Sequence, residues 1–183
     1  VARCSGVTED VGIINALCTY KDHRTRSSFV VFADNTGLLG RFRGDLRAMA
    51  DGYQDNATAL LADKPGVPGN VDLWDRGHLN EVTEVAYSAT MQVIITASRD
   101  GSCRFFDPYD KKNVAIVRFH NKGVLGMSVA SETGVVASFS KEREVQLWRA
   151  SAIANQGTLI MTIPLGESYA LAVEIIASLN QLI

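Results

Sequence analysis

Histidines are the side chains most able to do acid–base or metal chemistry at neutral pH, and this chain has three. His23 sits in the charged run Lys21-Asp22-His23-Arg24-Thr25-Arg26, with no second His or Cys at metal-ligand spacing, so it reads as a solvated loop residue. His78 and His120 instead stand at the heads of two similar stretches, a position that reads as structural. The cysteines, Cys4, Cys18 and Cys103, form no CxxC pair and are odd in number, a pattern that suits a reducing compartment. No phosphate-binding glycine motif, nucleophile elbow or HExxH occurs, and the acids are scattered without a pair spaced for acid–base work. The residues carry no positive sign of an enzyme. Neither a metal nor a cofactor is expected.

What positions the two histidines is a repeat. The stretch HLNEVTEVAYSATMQVIITASRDGSCRFFD, His78 to Asp107, superimposes without a gap on HNKGVLGMSVASETGVVASFSKEREVQLWR, His120 to Arg149, at an offset of 42 residues. A period of about 40–45 residues is that of four-stranded propeller blades. Each copy reads as strand, turn, strand, tight turn, strand. Val82 to Ser88 and Val124 to Ala130 are the first strands; Val93 to Ser98 and Val135 to Ser140 are β-branched or aromatic hexamers of strand length. Arg99-Asp100-Gly101 supplies a hairpin turn. Cys103 to Asp107 and Val145 to Trp148 are third strands, with Asn113 to Phe119 and Thr158 to Ile163 as fourth, outer ones. Upstream, Val11 to Tyr20, Ser28 to Ala33, Leu38 to Arg43 and Val71 to Trp74 read as another set, with Val7 in the histidine slot. Downstream, Tyr169 to Ile176 opens a further one.

At Gly77-His78, Ser98-Arg99-Asp100-Gly101, Phe105-Phe106-Asp107 and Leu147-Trp148-Arg149 the chain resembles the WD-repeat β-propeller family. The resemblance implies an all-β fold of four-stranded antiparallel blades, about three full blades plus partial blades at both ends. The blades would span residues 7–75, 78–119 and 120–164, the fragments residues 1–6 and 165–183, and an insertion loop residues 44–69. It also implies a hydrogen-bonded His–Ser/Thr–Asp–Trp tetrad within each blade. Carried over, it places His78, Ser98 and Asp100 in one network, where Phe106 cannot donate. It places His120, Ser140 and Trp148 in the next, with Glu142 replacing the Asp. The first blade keeps only Asp34 or Asn35 and Phe42. Trp74-Asp75 lies too close to His78 to be the family's WD pair and belongs to an outer strand.

Composition bounds the partners. The 183 residues are 46% apolar and 21% charged with a net charge of −2, ordinary for one globular domain and without a broad nucleic-acid or membrane footprint. No apolar run is long enough to span a bilayer. The chain starts without Met and stops in an apolar run, so it reads as a piece of something longer. Propellers close with about 4–8 blades, and the remaining ones are expected in missing chain or in a partner. On one face, the loops Lys21 to Ser27 and Gly44 to Gly69 bring Arg24, Arg26, Arg41 and Arg43 toward a basic patch. On the other, Arg99, Lys141 and Glu81 are candidate partner contacts. The expected job is a non-catalytic cytoplasmic scaffold for protein–protein interactions in a large assembly, cytoskeletal or ciliary. The alternative is a propeller subunit of a ribonucleoprotein or chromatin complex, its basic loops meeting nucleic acid.

Overall fold

The structure is a computed structural model and describes residues 12–22, 24, 27–43, 71–74, 77–151, 156–176 and 181–182. The expected loop at 44–69 and the fragment at 1–6 lie outside the described residues. The fold is all-β, with three four-stranded antiparallel sheets of the β-propeller type and no helix among the described residues. Blade 1 holds β1 (Ile14–Lys21), β2 (Ser28–Asp34), β3 (Leu39–Arg43) and β4 (Val71–Trp74). Blade 2 holds β5 (Val82–Ser88), β6 (Val93–Ser98), β7 (Cys103–Phe106) and β8 (Asn113–Val117). Blade 3 holds β9 (Val124–Ala130), β10 (Val135–Ser140), β11 (Glu144–Ser151) and β12 (Gln156–Pro164). The first strands line up side by side, β5 touching β1 on one side and β9 on the other.

The core lies between the sheets, which explains the strand sequences. In β6 every residue is buried, because both of its faces are covered by neighbouring blades. Ile94 points toward blade 1, packing with Val31, Leu39, Trp74 and Phe106. Ile95 points the other way, into a cluster with Phe105, Val124, Val136 and Trp148. Polar staples add to this. Thr83 Oγ1 donates to the Val124 carbonyl at 3.1 Å and Ser131 Oγ to the Tyr87 carbonyl at 3.1 Å. Beyond blade 3, Phe139 and Val145 pack with Leu165, Val173 and Ile175, where β13 (Ile175–Ile176) pairs with β14 (Gln181–Leu182).

Two strand expectations need correction. The first strand starts at Ile14 rather than Val11. Ile14 lies opposite Asp34 just before a bulge, as Val82 lies opposite Ser98 just before its own bulge. Ile14 therefore takes the Val82 slot, and the alignment that put Val7 in the histidine slot is out of register. Downstream, the strand expected over Tyr169 to Ile176 is only its last two residues. A turn at Leu165–Ser168, with Gly166 at φ 63°, intervenes.

The tight turns keep the 42-residue step in their backbone. Gly101 (φ 82°) corresponds to Arg143 (φ 60°), and Gln92 (φ 54°) to Gly134 (φ 68°). Only glycine adopts this left-handed region without strain. A Cβ at Gly101 would meet its nearest atom, the Lys122 carbonyl oxygen, at an ordinary 3.5 Å. Gly101→Ala should thus cost about 1–2 kcal/mol through the backbone alone, read as a lower urea midpoint at an unchanged slope. An unaltered midpoint would show that the turn adapts.

Candidate functional site

The buried polar centre of blade 2 is built on His78. Its ring is shielded from water, with Nδ1 3.0 Å from Asp100 Oδ2 and Nε2 2.7 Å from Thr96 Oγ1. A carboxylate only accepts, so Nδ1 carries the proton and Nε2 accepts from Thr96. Burial pushes His78 below the usual histidine range, partly offset by Asp100, so the ring is neutral at pH 7. Burial also pushes the Asp100 carboxyl up. The donors around it, namely His78, Ser102 Oγ at 2.5 Å and the Leu79 amide at 3.0 Å, outweigh that and hold it well below the usual carboxylate range. Blade 3 repeats the plan. His120 Nε2 meets Ser138 Oγ at 2.9 Å, Trp148 Nε1 donates to the same oxygen at 3.0 Å, and His120 Nδ1 lies 3.3 Å from Glu142 Oε2.

The expected hydroxyls, Ser98 and Ser140, are not the ones that meet the histidines. Thr96 and Ser138, two residues earlier and on the same strand face, hold those places. Ser98 and Ser140 instead cap the tight turn: their Oγ atoms accept the amides of Asp100 and Glu142, each at 3.1 Å. The strand register aligns Ala33 with Ala97 and Leu39 with Cys103, which puts Asp34 in the Ser98 slot. Asp34 does the same work, accepting the Thr36 amide at 2.8 Å. Phe32 then takes the Thr96 slot, so blade 1 has no hydroxyl at the position that meets histidine in the other two.

Of the residues expected to meet a partner, Arg41 is turned inward. Its Nε bonds Asp72 Oδ2 at 2.9 Å, its guanidinium lies over the Phe29 ring at 4.7 Å, and it donates to the Pro108 carbonyl of blade 2. It riveted blade 1 to blade 2 instead of joining a basic patch, and Lys111 joins the same rivet at 3.2 Å from Asp72. Arg24 is exposed, its guanidinium 4.4 Å from the Tyr109 ring centroid. Arg26 and the Arg43 side chain lie outside the described residues. On the opposite face, Arg99 and Glu81 pair with each other at 2.6 Å, and Asn15 of blade 1 donates to Glu81 at 2.8 Å. Lys141 is exposed. Sequence reasoning missed Leu79, which is 87% exposed while its amide is tied to Asp100. The signal was there: the repeat puts polar Asn121 at the matching place.

A family model described as WD domain, G-beta repeat, matches residues 71–107. These residues carry a WD repeat. The matched segment runs from β4, the outer strand of blade 1, through the first three strands of blade 2. The matched repeat is thus out of phase with a blade, and it ties one sheet to the next. WD-repeat domains generally serve as scaffolds for interactions with other proteins and are generally non-catalytic. The buried histidines fit that: His78 and His120 have both ring nitrogens engaged within the blade.

Proposed function

We propose that this chain is a non-catalytic docking platform in a large cytoplasmic assembly of cytoskeletal or ciliary type. Its partner would be held on the face that carries Leu79, Glu81, Arg99 and Lys141. The observation that carries the reading is Leu79. An 87% exposed leucine is held at a fixed place by its own amide, with the Arg99–Glu81 pair beside it. A rigid apolar contact with charged neighbours matches the anatomy of a protein-binding patch, where large side chains supply affinity and rim charges supply specificity. The sheet beneath is fixed, so the face can bind without reorganising.

The nucleic-acid alternative is less well supported, because Arg41 is committed to Asp72 and Pro108 and cannot meet a phosphate. Leu79→Asp and Lys141→Glu should remove co-purifying partners from a native extract of the full-length protein while thermal stability stays put. Arg99→Ala should weaken capture more mildly. Unchanged capture with the Leu79→Asp/Lys141→Glu double variant would sink the proposed face. Capture of nucleic acid with a steep salt dependence would move the reading to the alternative.

A further inference from the structure

Blades 2 and 3 differ most in the charge around their histidines. On the Nδ1 side of His78 stand the Asp100 carboxylate and the Ser102 hydroxyl, at 3.0 and 3.3 Å. Two guanidiniums attend them: Arg104 Nη2 lies 4.0 Å from Asp100 Oδ2, and Arg118 Nη1 donates to the Asp100 carbonyl at 3.3 Å. Forty-two residues on, the matching positions are Glu142, Glu144, Gln146 and Ile160. A second carboxylate has replaced the hydroxyl, and both cations are gone. Among the described residues, neither glutamate is ion-paired to a lysine or arginine; the Glu142 carboxylate is met by neutral groups, His120 Nδ1 at 3.3 Å, Ser140 Oγ at 3.0 Å and the Asn121 amide at 3.2 Å. One donor atom each from His120, Glu142 and Glu144 lie within 4.8 Å of one another.

Gln146 is an independent mark on the same spot. It is 5% exposed, and its Nε2 donates to Glu144 Oε1 at 2.6 Å and to the Phe119 carbonyl at 2.9 Å. That leaves the oxygen of the same amide, Oε1, buried with no hydrogen-bond partner among the described residues. A bare buried carbonyl oxygen on the side chain that bonds Glu144, with no cation paired to either glutamate among the described residues, calls for positive charge.

We propose that His120 Nδ1, Glu142 and Glu144 bind a divalent transition-metal ion of the zinc class, with the Gln146 carbonyl as a further oxygen donor. Two carboxylates cancel the ion's charge, and bonds of about 2.0–2.2 Å to nitrogen and oxygen need the ligand atoms to draw together by little more than an ångström. Glutamate side chains can supply that by rotation. The ring is already aimed from behind, Nε2 on Ser138 Oγ and Ser138 on Trp148 Nε1, as metal-bound histidines usually are. Loading moves the ring proton from Nδ1 to Nε2, which then donates a hydrogen bond to Ser138 Oγ. Bound there, the ion would clamp the connection leading into blade 3 onto β11.

Zinc and cobalt titrations of the metal-stripped full chain test this. One equivalent of Zn²⁺ should bind and raise the melting temperature, and Co²⁺ should give visible d–d absorption of nitrogen–oxygen ligation. Glu144→Ser installs the residue that blade 2 already carries at the matching place, so the fold should tolerate it. It should weaken Zn²⁺ binding by more than about tenfold; Glu142→Gln should do the same. No binding by the wild type at millimolar Zn²⁺, or binding undiminished in Glu144→Ser, overturns the site.

Discussion

Trp148→Ala should lower the unfolding free energy by about 3–5 kcal/mol, the largest loss expected from any single truncation in blade 3. Trp148 has no exposed surface and sits where the cores of two blades meet. Its ring meets Phe105 edge-on at 5.8 Å and Phe119 at 5.9 Å. Alanine leaves a void that strands paired on both sides of β11 cannot close, since β10 and β12 fix its backbone. It also takes the indole N–H away from Ser138. Trp148→Phe separates the two effects, because blade 2 already lives with Phe106 in the matching place. That variant should lose only about 1–2 kcal/mol. Urea unfolding at a constant slope measures both. A loss below about 1 kcal/mol for the alanine variant would show that blade 3 is not packed through this residue.

The strands were legible where local pattern and tertiary fate coincide. The bounds of β5, β6, β9 and β10 follow from short apolar β-branched runs, each closed by a turn, and the structure has them at the same residues. The start of β1 was not legible. VGIINALCTY is apolar on both faces, so period-two alternation cannot set its register, and the bulge at Asn15 shifts it by one more residue. The histidine network was half legible. Thr96 and Ser98 both lie on one face of β6 and both carry a hydroxyl, so spacing alone could not say which meets His78 and which caps the turn. The fate of Arg41 was not legible at all. It is decided by Asp72 on another strand and by the Pro108 carbonyl in another blade, 31 and 67 residues away along the chain. Side chains whose partners are distant in sequence leave no local trace. The Glu144 substitution is the opposite case: the repeat itself marks it, because the other copy shows what usually stands there.

Asp100→Asn should cost on the order of 3 kcal/mol at pH 7 and change the shape of the stability–pH curve. Asp100 Oδ atoms accept from His78 Nδ1, the Leu79 and Ser102 amides, and Ser102 Oγ. Asparagine offers one acceptor oxygen and turns an N–H₂ toward the remaining donors, so at least one buried donor loses its partner. In the wild type, acid should act in two stages. His78 is held below its ordinary value chiefly by burial, with Arg104 and Arg118 adding to the depression, so only the unfolded chain takes up its proton as pH falls below about 6.5. Stability starts to fall there. Asp100 is held low as well, so its contribution is complete above about pH 4 and drains away below it as the unfolded carboxylate protonates first. The asparagine variant lacks the lower stage. Its upper stage deepens, because Asp100 is what partly supports a proton on His78. His120 and Glu142 titrate in both proteins and cancel in the difference. Urea midpoints taken from pH 8 to pH 3 should therefore show the two curves converging below about pH 4. Parallel curves over that whole range would mean that Asp100 is not coupled to folding through its charge.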